Sequence, residues 1–433
     1  MTPVQIGIIG IAALLLLFLL RFPVAFSLAL VGFVGFGYLT SFQAAASLLA
    51  RDVFSQLSSY GLSAIAMFVL MGSYGLMAGL GERLYNAAHR FVGSLPGGLG
   101  MATVLACAGF ASISGSTTAT AATMGKIALP EMRRYGYNMT LASGSVAVAG
   151  TLGILIPPST VFLVYAFLTQ QPIGALFTAG IVPGLILAAM FAATVYLVCR
   201  VRPELGPPTE RSSWSERLRA AAGAWQVITL FLLVVGGLFF GWFSPTQAGA
   251  IGAFGALLVG LINRKVTWPM LIDGTRDALR TSVMIMALIA GASVFGRFMA
   301  VTRIPFLIAG WVESLPLSAN GILWVIVLTL FIGGFFMDAM ALVTLLVPVL
   351  FPVVQRLGFD PIWFGVIIVL TAEMGVITPP VGVNVYVIKN IAPDVPLGDI
   401  FRGIMPFLVP LFLMVGLLVA FPQLALWLPS LGR

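Results

Sequence analysis

The chain has 433 residues, of which 60% are apolar and only 8% charged, with 48 glycines and a formal net charge of +8. A soluble domain carries roughly 25% charged residues, so this composition cannot cover a water-soluble globule and excludes one. The sequence describes a membrane protein with many spans.

In lipid the backbone must satisfy its own hydrogen bonds, because each unpaired polar group costs several kcal/mol. No series of roughly ten-residue alternating strands of the barrel kind is present, so the fold is expected to be all-α. Cys107 and Cys199 are isolated in apolar runs without metal-like neighbours and read as small core residues.

In chain order, the N-terminal MTPVQIGIIGIAALLLLFLL lacks a basic region and a small-residue cleavage site, and reads as a first span ended by Arg21 and Pro23. Spans are expected over Val24–Tyr38 and Tyr60–Leu80, with Arg51 and Asp52 in a water-facing loop between them. Glu82–Val92 is too polar to cross and puts Leu84, Ala88 and Phe91 on one side, as an interfacial amphipathic helix would. From Pro96 two short apolar arms flank the turn SISGSTTAT, which implies a re-entrant hairpin at about 97–134. A helix at about 138–166 contains Gly150, Gly153, Pro157 and Pro158. The adjacent prolines remove two amide donors and should break it in mid-membrane.

Arg200–Arg219 is the one long polar linker. Beyond it the plan recurs, with spans near Ala221–Gly241, Thr246–Ile262 and Leu279–Phe298, and an interfacial stretch near Arg303–Glu313. Next come a hairpin at about 320–356, a broken helix at about 361–391 and a last span near Ile404–Phe421. The recurrence is in register. Moving 222 positions puts Pro157 and Pro158 on Pro379 and Pro380, Gly153 on Gly375, Pro130 on Pro352 and Gly136 on Gly358. Two units, 1–199 and 221–433, are thus joined by a cytoplasmic linker at 200–220. Five crossings before the linker, with a hairpin that returns to its own side, turn the second copy upside down, the inverted-repeat plan of secondary transporters.

Charge supports one orientation. With the N-terminus outside, the inner side receives all 22 Lys and Arg residues except Arg51, Arg297, Arg303, Arg356 and Arg433. That follows the positive-inside rule and accounts for the basic balance without nucleic acid. Both termini are then expected outside.

Asp338 and Glu373 are the acidic residues within long apolar stretches, and intramembrane carboxylates mark functional sites. Either could instead cap a helix. Unwound helices also expose carbonyl and hydroxyl oxygens that suit monovalent cations, while half-helix N-termini suit a carboxylate. One site is expected from Ser114–Thr117 with Gly150–Pro158, and a second from Gly334–Asp338 with Gly375–Thr378, joined by Glu373. Gly and Ser there would also simply permit close packing. No phosphate-binding loop and no metalloprotease or hydrolase motif occurs, so the chain reads as no enzyme and an ion gradient as its energy source. His89 reads as a surface residue.

The stretches FASISGSTTATAATMGKIALPEMRRYGYN, GTLGILIPPSTVFLVYA, FMDAMALVTLLVPVLFPVVQRLGFD and EMGVITPPVGVNVYV resemble the large membrane subunit (DctM, or M-type permease) of tripartite ATP-independent periplasmic (TRAP) transporters. The resemblance covers essentially the whole chain. It implies a bacterial inner-membrane, sodium-coupled importer of the elevator type, with a transport domain and a scaffold. It also implies a separate four-helix membrane subunit (Q type) and a soluble periplasmic binding protein (P type) that delivers an organic acid such as a C4-dicarboxylate or sialic acid. Carried onto this sequence, Ser114, Gly115 and Ser116 would line a first Na+ site with Gly150, Gly153 and Pro157. Asp338, Gly375 and Thr378, beside Gly334 and Glu373, would form a second. Ser159 would lie in the substrate cavity with Ser116, Thr160 and Asp338. A stand-alone sodium/carboxylate symporter is the alternative, and a channel is disfavoured because nothing resembles a filter.

Overall fold

The structure, a computed structural model, describes residues 1–314 and 316–432; Arg433, expected on the outer face, lies outside the described residues. No strand occurs among them. The first half contains α1 (Pro3–Leu19), α2 (Val24–Leu39), α3 (Phe42–Leu57), α4 (Ser63–Met77) and α5 (Leu80–Val92). Then come the hairpin α6 (Gly98–Ser114) and α7 (Thr117–Arg134), the interrupted α8 (Met139–Ala149), α9 (Leu152–Leu155) and α10 (Thr160–Thr169), and α11 (Ile173–Val201).

The second half has α12 (Trp214–Phe231), continued through a wider π turn at Leu232–Gly236 into α13 (Gly237–Phe239), then α14 (Pro245–Ile262), α15 (Trp268–Thr302) and α16 (Ile304–Ser314). A second hairpin, α17 (Ala319–Gly334) and α18 (Ala339–Arg356), precedes α19 (Pro361–Val376), α20 (Val383–Ile391), α21 (Leu397–Ala420) and α22 (Gln423–Leu431). Eight helical stretches among the described residues are long and apolar enough to cross a membrane.

The spacing of 222 is kept by the local chemistry of the helix ends. Asn138 caps α8 by accepting the Thr140 and Leu141 amides at 3.0 and 3.3 Å, and Asp360 caps α19 by accepting those of Ile362 and Trp363 at 2.7 and 3.0 Å. Ser116 and Asp338 cap α7 and α18 in the same way. Gly136 and Gly358 close those arms at φ of 71° and 76°, a left-handed conformation that glycine adopts without a Cβ penalty.

Three expectations are corrected and one helix is added. Arg51 and Asp52 lie in a helix, not a loop. Ser41 caps α3 by accepting the Ala44 amide at 3.1 Å, and the Ala- and Leu-rich segment behind it favours helix. The linker ends early, because Ser213 and Glu216 form a capping box that starts α12 at Trp214. The third span of the second half extends well beyond Leu279–Phe298: α15 runs 35 residues as one helix over the positions that α3 and α4 divide in the first half. A short α22 follows the last span.

Packing interlocks the halves. α2 lies against α15 and α4 against α14, while α8 lies against α21, α7 against α20 and α10 against α18. Ion pairs tie the same faces: Lys265 with Glu82 at 2.8 Å, Arg133 with Asp394 at 2.6 Å and Arg297 with Asp52 at 3.2 Å. Each joins residues that the charge pattern assigns to one side.

The tightest approach is between α8 and α21. A Cβ on Gly403 would strike the Thr140 carbonyl, and one on Gly144 would strike the Gly403 backbone. Gly403→Ala should destabilise the protein by about 1–3 kcal/mol, the usual cost of overpacking, seen as a lower Tm of the purified protein. His89 is half-buried on α5 and pairs with the Thr209 hydroxyl at 3.1 Å. Burial, then the Arg90 charge, holds its imidazole below the usual value of 6.5. The unfolded chain therefore binds the proton first, so this group's contribution is complete above about pH 6.5 and is lost as pH falls below it. His89→Gln should flatten the fall in Tm between about pH 6.5 and 5.

Candidate functional site

A cavity of about 670 Å³ opens where the hairpin tips meet α4 and α15. Its polar wall comes from Ser114, Ser116, Thr117, Thr118 and Thr160 on one side and Asp338 on another, with Ser73, Asp277 and Thr281 facing them. Among the described residues no Lys or Arg lines it.

The first tip is bound to the first break. Gly115 turns at φ 60°, a conformation strained for any residue with a Cβ, and a Cβ there would also meet the Pro158 carbonyl at 2.8 Å. Its own carbonyl accepts the Thr160 hydroxyl at 2.8 Å and the Thr160 amide at 3.2 Å. Behind the tip, the Thr120 hydroxyl donates to the Ser116 carbonyl at 2.8 Å and lies 2.6 Å from the Ser114 hydroxyl. Gly153 lets the broken helix approach, since a Cβ there would stand 2.5 Å from the Ser116 carbonyl. Gly150 does the same one turn earlier, against Ala121 and the Thr117 carbonyl. Pro157 and Pro158 form a cis peptide, and the whole segment from Thr151 to Thr160 is buried. Ser114, Gly115, Ser116, Gly150, Gly153 and Pro157 are therefore brought together, as a cluster of hydroxyl and carbonyl oxygens.

The second tip is built alike, with two differences. Gly334 and Gly375 bring their backbones into contact, a Cβ on Gly375 standing 2.5 Å from the Gly334 Cα. The Thr378 hydroxyl donates to the Met374 carbonyl at 2.6 Å. Asp338 replaces Ser116 as the cap, its Oδ1 accepting the Met340 and Ala341 amides at 2.9 and 3.1 Å, yet it stays exposed to the cavity. The break also differs in burial: Pro379 and Pro380, again cis, are exposed where Pro157 and Pro158 are buried.

Two expected residues stand elsewhere. Ser159 is fully buried and does not line the cavity; its hydroxyl caps α10 by accepting the Phe162 amide at 3.2 Å. A serine that follows two prolines and precedes an apolar run is an N-cap by type, which explains the correction. Glu373 is 1% exposed and lies beside Thr117 of the first hairpin rather than at the second tip alone. Sequence reasoning missed Asp277, because hydropathy leaves the start of α15 outside the membrane, and Thr281, which falls inside the expected span without a break or charge to single it out. Their spacing of one helical turn was the available signal. Asn384 was also missed. It donates to the Thr117 hydroxyl at 2.7 Å and to the Ala147 carbonyl at 3.1 Å, tying α20 to the first half.

An all-helical protein with two hairpin tips around a largely apolar cavity that carries polar groups at those tips has the build of a membrane transporter, and the comparisons agree. The fold is similar to that of the YdaH transporter of Alcanivorax borkumensis, with a TM-score of 0.67 at 15% identity over 88% of this chain and 90% of that one. The family described as "Tripartite ATP-independent periplasmic transporter, DctM component" matches residues 11–424. The C4-dicarboxylate TRAP transporter large permease protein DctM of Pseudomonas aeruginosa is 39% identical, over 88% of this chain and 89% of its own length. The sialic acid TRAP transporter large permease protein SiaM of Vibrio cholerae is 32% identical, over 94% and 95%. The chain belongs to the DctM family of TRAP transporter large permeases, which are membrane permeases and not enzymes.

Asp338→Asn keeps the cap and removes the charge, whereas Asp338→Ala removes both. The alanine variant should lose about 1 kcal/mol of stability and the asparagine variant much less, with uptake reduced in both. Ser159→Ala should likewise cost about 1 kcal/mol through its lost cap while leaving the KM for solute near that of the unmodified protein, which separates it from the cavity residues.

Proposed function

We propose that this permease imports a small organic acid with Na+, receiving the solute from a soluble periplasmic binding protein and working beside a small four-helix membrane subunit. The observation that carries the reading is the cavity between the two hairpin tips, in a chain of the DctM family. Hydroxyl and carbonyl oxygens from Ser114, Ser116 and Thr120 gather behind the first tip. Oxygen ligands of that kind suit a monovalent cation. The N-termini of α7 and α10 meet at the Gly115 carbonyl and offer partial positive charge for a carboxylate in a cavity that lacks basic side chains. Relatives act on different solutes, C4-dicarboxylates in one and sialic acid in another, so the carboxylate common to them is the class proposed here.

The units 1–199 and 221–433 are inverted repeats in this reading, with both termini periplasmic. The hairpins, broken helices and α11 and α21 form a transport domain, and α2, α4, α14 and α15 a scaffold, with α5 and α16 as arms between them. The transport domain carries the cavity across the membrane as an elevator. Uptake of radiolabelled organic acids into proteoliposomes holding this chain and its small subunit tests the proposal. Accumulation should require both an inward sodium gradient and the binding protein. Sodium-driven uptake without the binding protein would establish a stand-alone symporter instead, and sodium-independent equilibration would exclude coupling altogether.

A further inference from the structure

The most anomalous group in the molecule is Glu373. It lies in α19 with 1% of its surface exposed, and neither carboxylate oxygen has a hydrogen-bond partner that meets ordinary geometry. The Thr117 hydroxyl stands beside it without completing a well-formed bond, and Asp338 is the one titratable group whose charge reaches it. Among the described residues no Lys or Arg acts on it, and Asp338 bears a charge of its own sign. A buried charge without a partner is strongly unfavourable, and native proteins pair such groups or bind an ion to them.

A second group points to the same place. Asn384 is fully buried and spends both amide hydrogens, one on the Thr117 hydroxyl at 2.7 Å and one on the Ala147 carbonyl at 3.1 Å. Its orientation is fixed by those two acceptors, so the atom left over is Oδ1, and Oδ1 is buried with no partner. Both side chains flank Thr117. The Thr117 hydroxyl already accepts from Asn384, so the single hydrogen it can donate is the one donor in the group. With Glu373 ionised, three acceptor oxygens, two of Glu373 and one of Asn384, are thus buried around one hydroxyl. What such a set lacks is a cation.

We infer that Glu373, Asn384 and Thr117 form a third cation site, separate from the two hairpin-tip clusters and taking a monovalent ion such as Na+. The ligand set selects the charge. One carboxylate among neutral oxygens neutralises a single positive charge, whereas no group of three or more His, Cys, Asp or Glu side chains that could hold a multivalent metal occurs among the described residues. The site draws ligands from both halves: Thr117 follows the first hairpin tip, Glu373 precedes the second break and Asn384 follows it. An ion there would pull the first hairpin and the second broken helix together, so that loading it favours one arrangement of both tips. This assignment rests on the proposed sodium coupling, and it moves Glu373 out of the second tip's ligand set.

Thermal stability of the purified full-length protein, titrated with NaCl at constant ionic strength against choline chloride, tests the inference without requiring transport. The unmodified protein should gain Tm with sodium, as binding to the folded state alone demands, and along a steeper curve than one ion would give because several sites fill. Glu373→Gln keeps the shape and removes the charge, and Asn384→Ser removes the amide oxygen. Each should raise the half-maximal sodium concentration by about tenfold or more and lower the Hill slope. Unchanged midpoint and slope in both variants would overturn the third site while leaving sodium coupling intact. A flat curve for the unmodified protein would overturn the coupling and the site with it. Should Glu373→Gln fail to fold at saturating sodium, Asn384→Ser decides alone: a shifted midpoint supports the site, and an unshifted one removes it.

Discussion

The structure depends on one constraint: inside a bilayer no backbone amide or carbonyl can be left without a partner. A transport site needs the opposite, polar backbone free to touch solute and ion. In the first half the two demands are met by breaking a helix where protein surrounds it. Met139–Thr169 is the example, since its most apolar window is entirely buried. Its prolines at 157 and 158 interrupt the ladder, and the first hairpin tip closes over the gap through the Gly115 carbonyl and Thr160. The first hairpin is in this sense a lid on unsatisfied backbone, and the glycines at 115 and 334 on the hairpins and at 150, 153 and 375 on the broken helices permit the close approach.

The two halves solve this problem with one plan and different residues. Ser116 and Asp338 do the same capping work, but the second brings a charge to the cavity. Ser159 caps α10, whereas Gly382 opens α20 with a left-handed turn and no side-chain cap. The first break is sealed and the second reaches the surface.

Much of this was legible in the sequence because helix breaks, caps and charge leave local signatures. The paired prolines and the two turns at Ser114–Thr117 and Met337–Asp338 fall where helices end in the structure. Elements whose meaning is tertiary were not legible. Ser159 reads equally as a cavity residue or a cap until the direction of its hydroxyl is seen. Asn384 looks like one polar residue on a short helix, and only its reach to Thr117 and Ala147 gives it a role. Asp277 sits among charged residues that hydropathy assigns to water, although α15 carries it to the cavity wall. The helix at Arg51 and Asp52 was hidden for a related reason: charge marks a segment as outside lipid without saying that it is unfolded.

The central proposal is that the hairpins and broken helices move as one body against α2, α4, α14 and α15. Spin labels at Arg133 on α7 and Arg276 on α15, both at exposed positions, would report the distance between those bodies in a background lacking Cys107 and Cys199. Pulsed electron resonance in lipid should show two distance populations whose ratio shifts with sodium and solute. A single population, unmoved by either, would contradict the account.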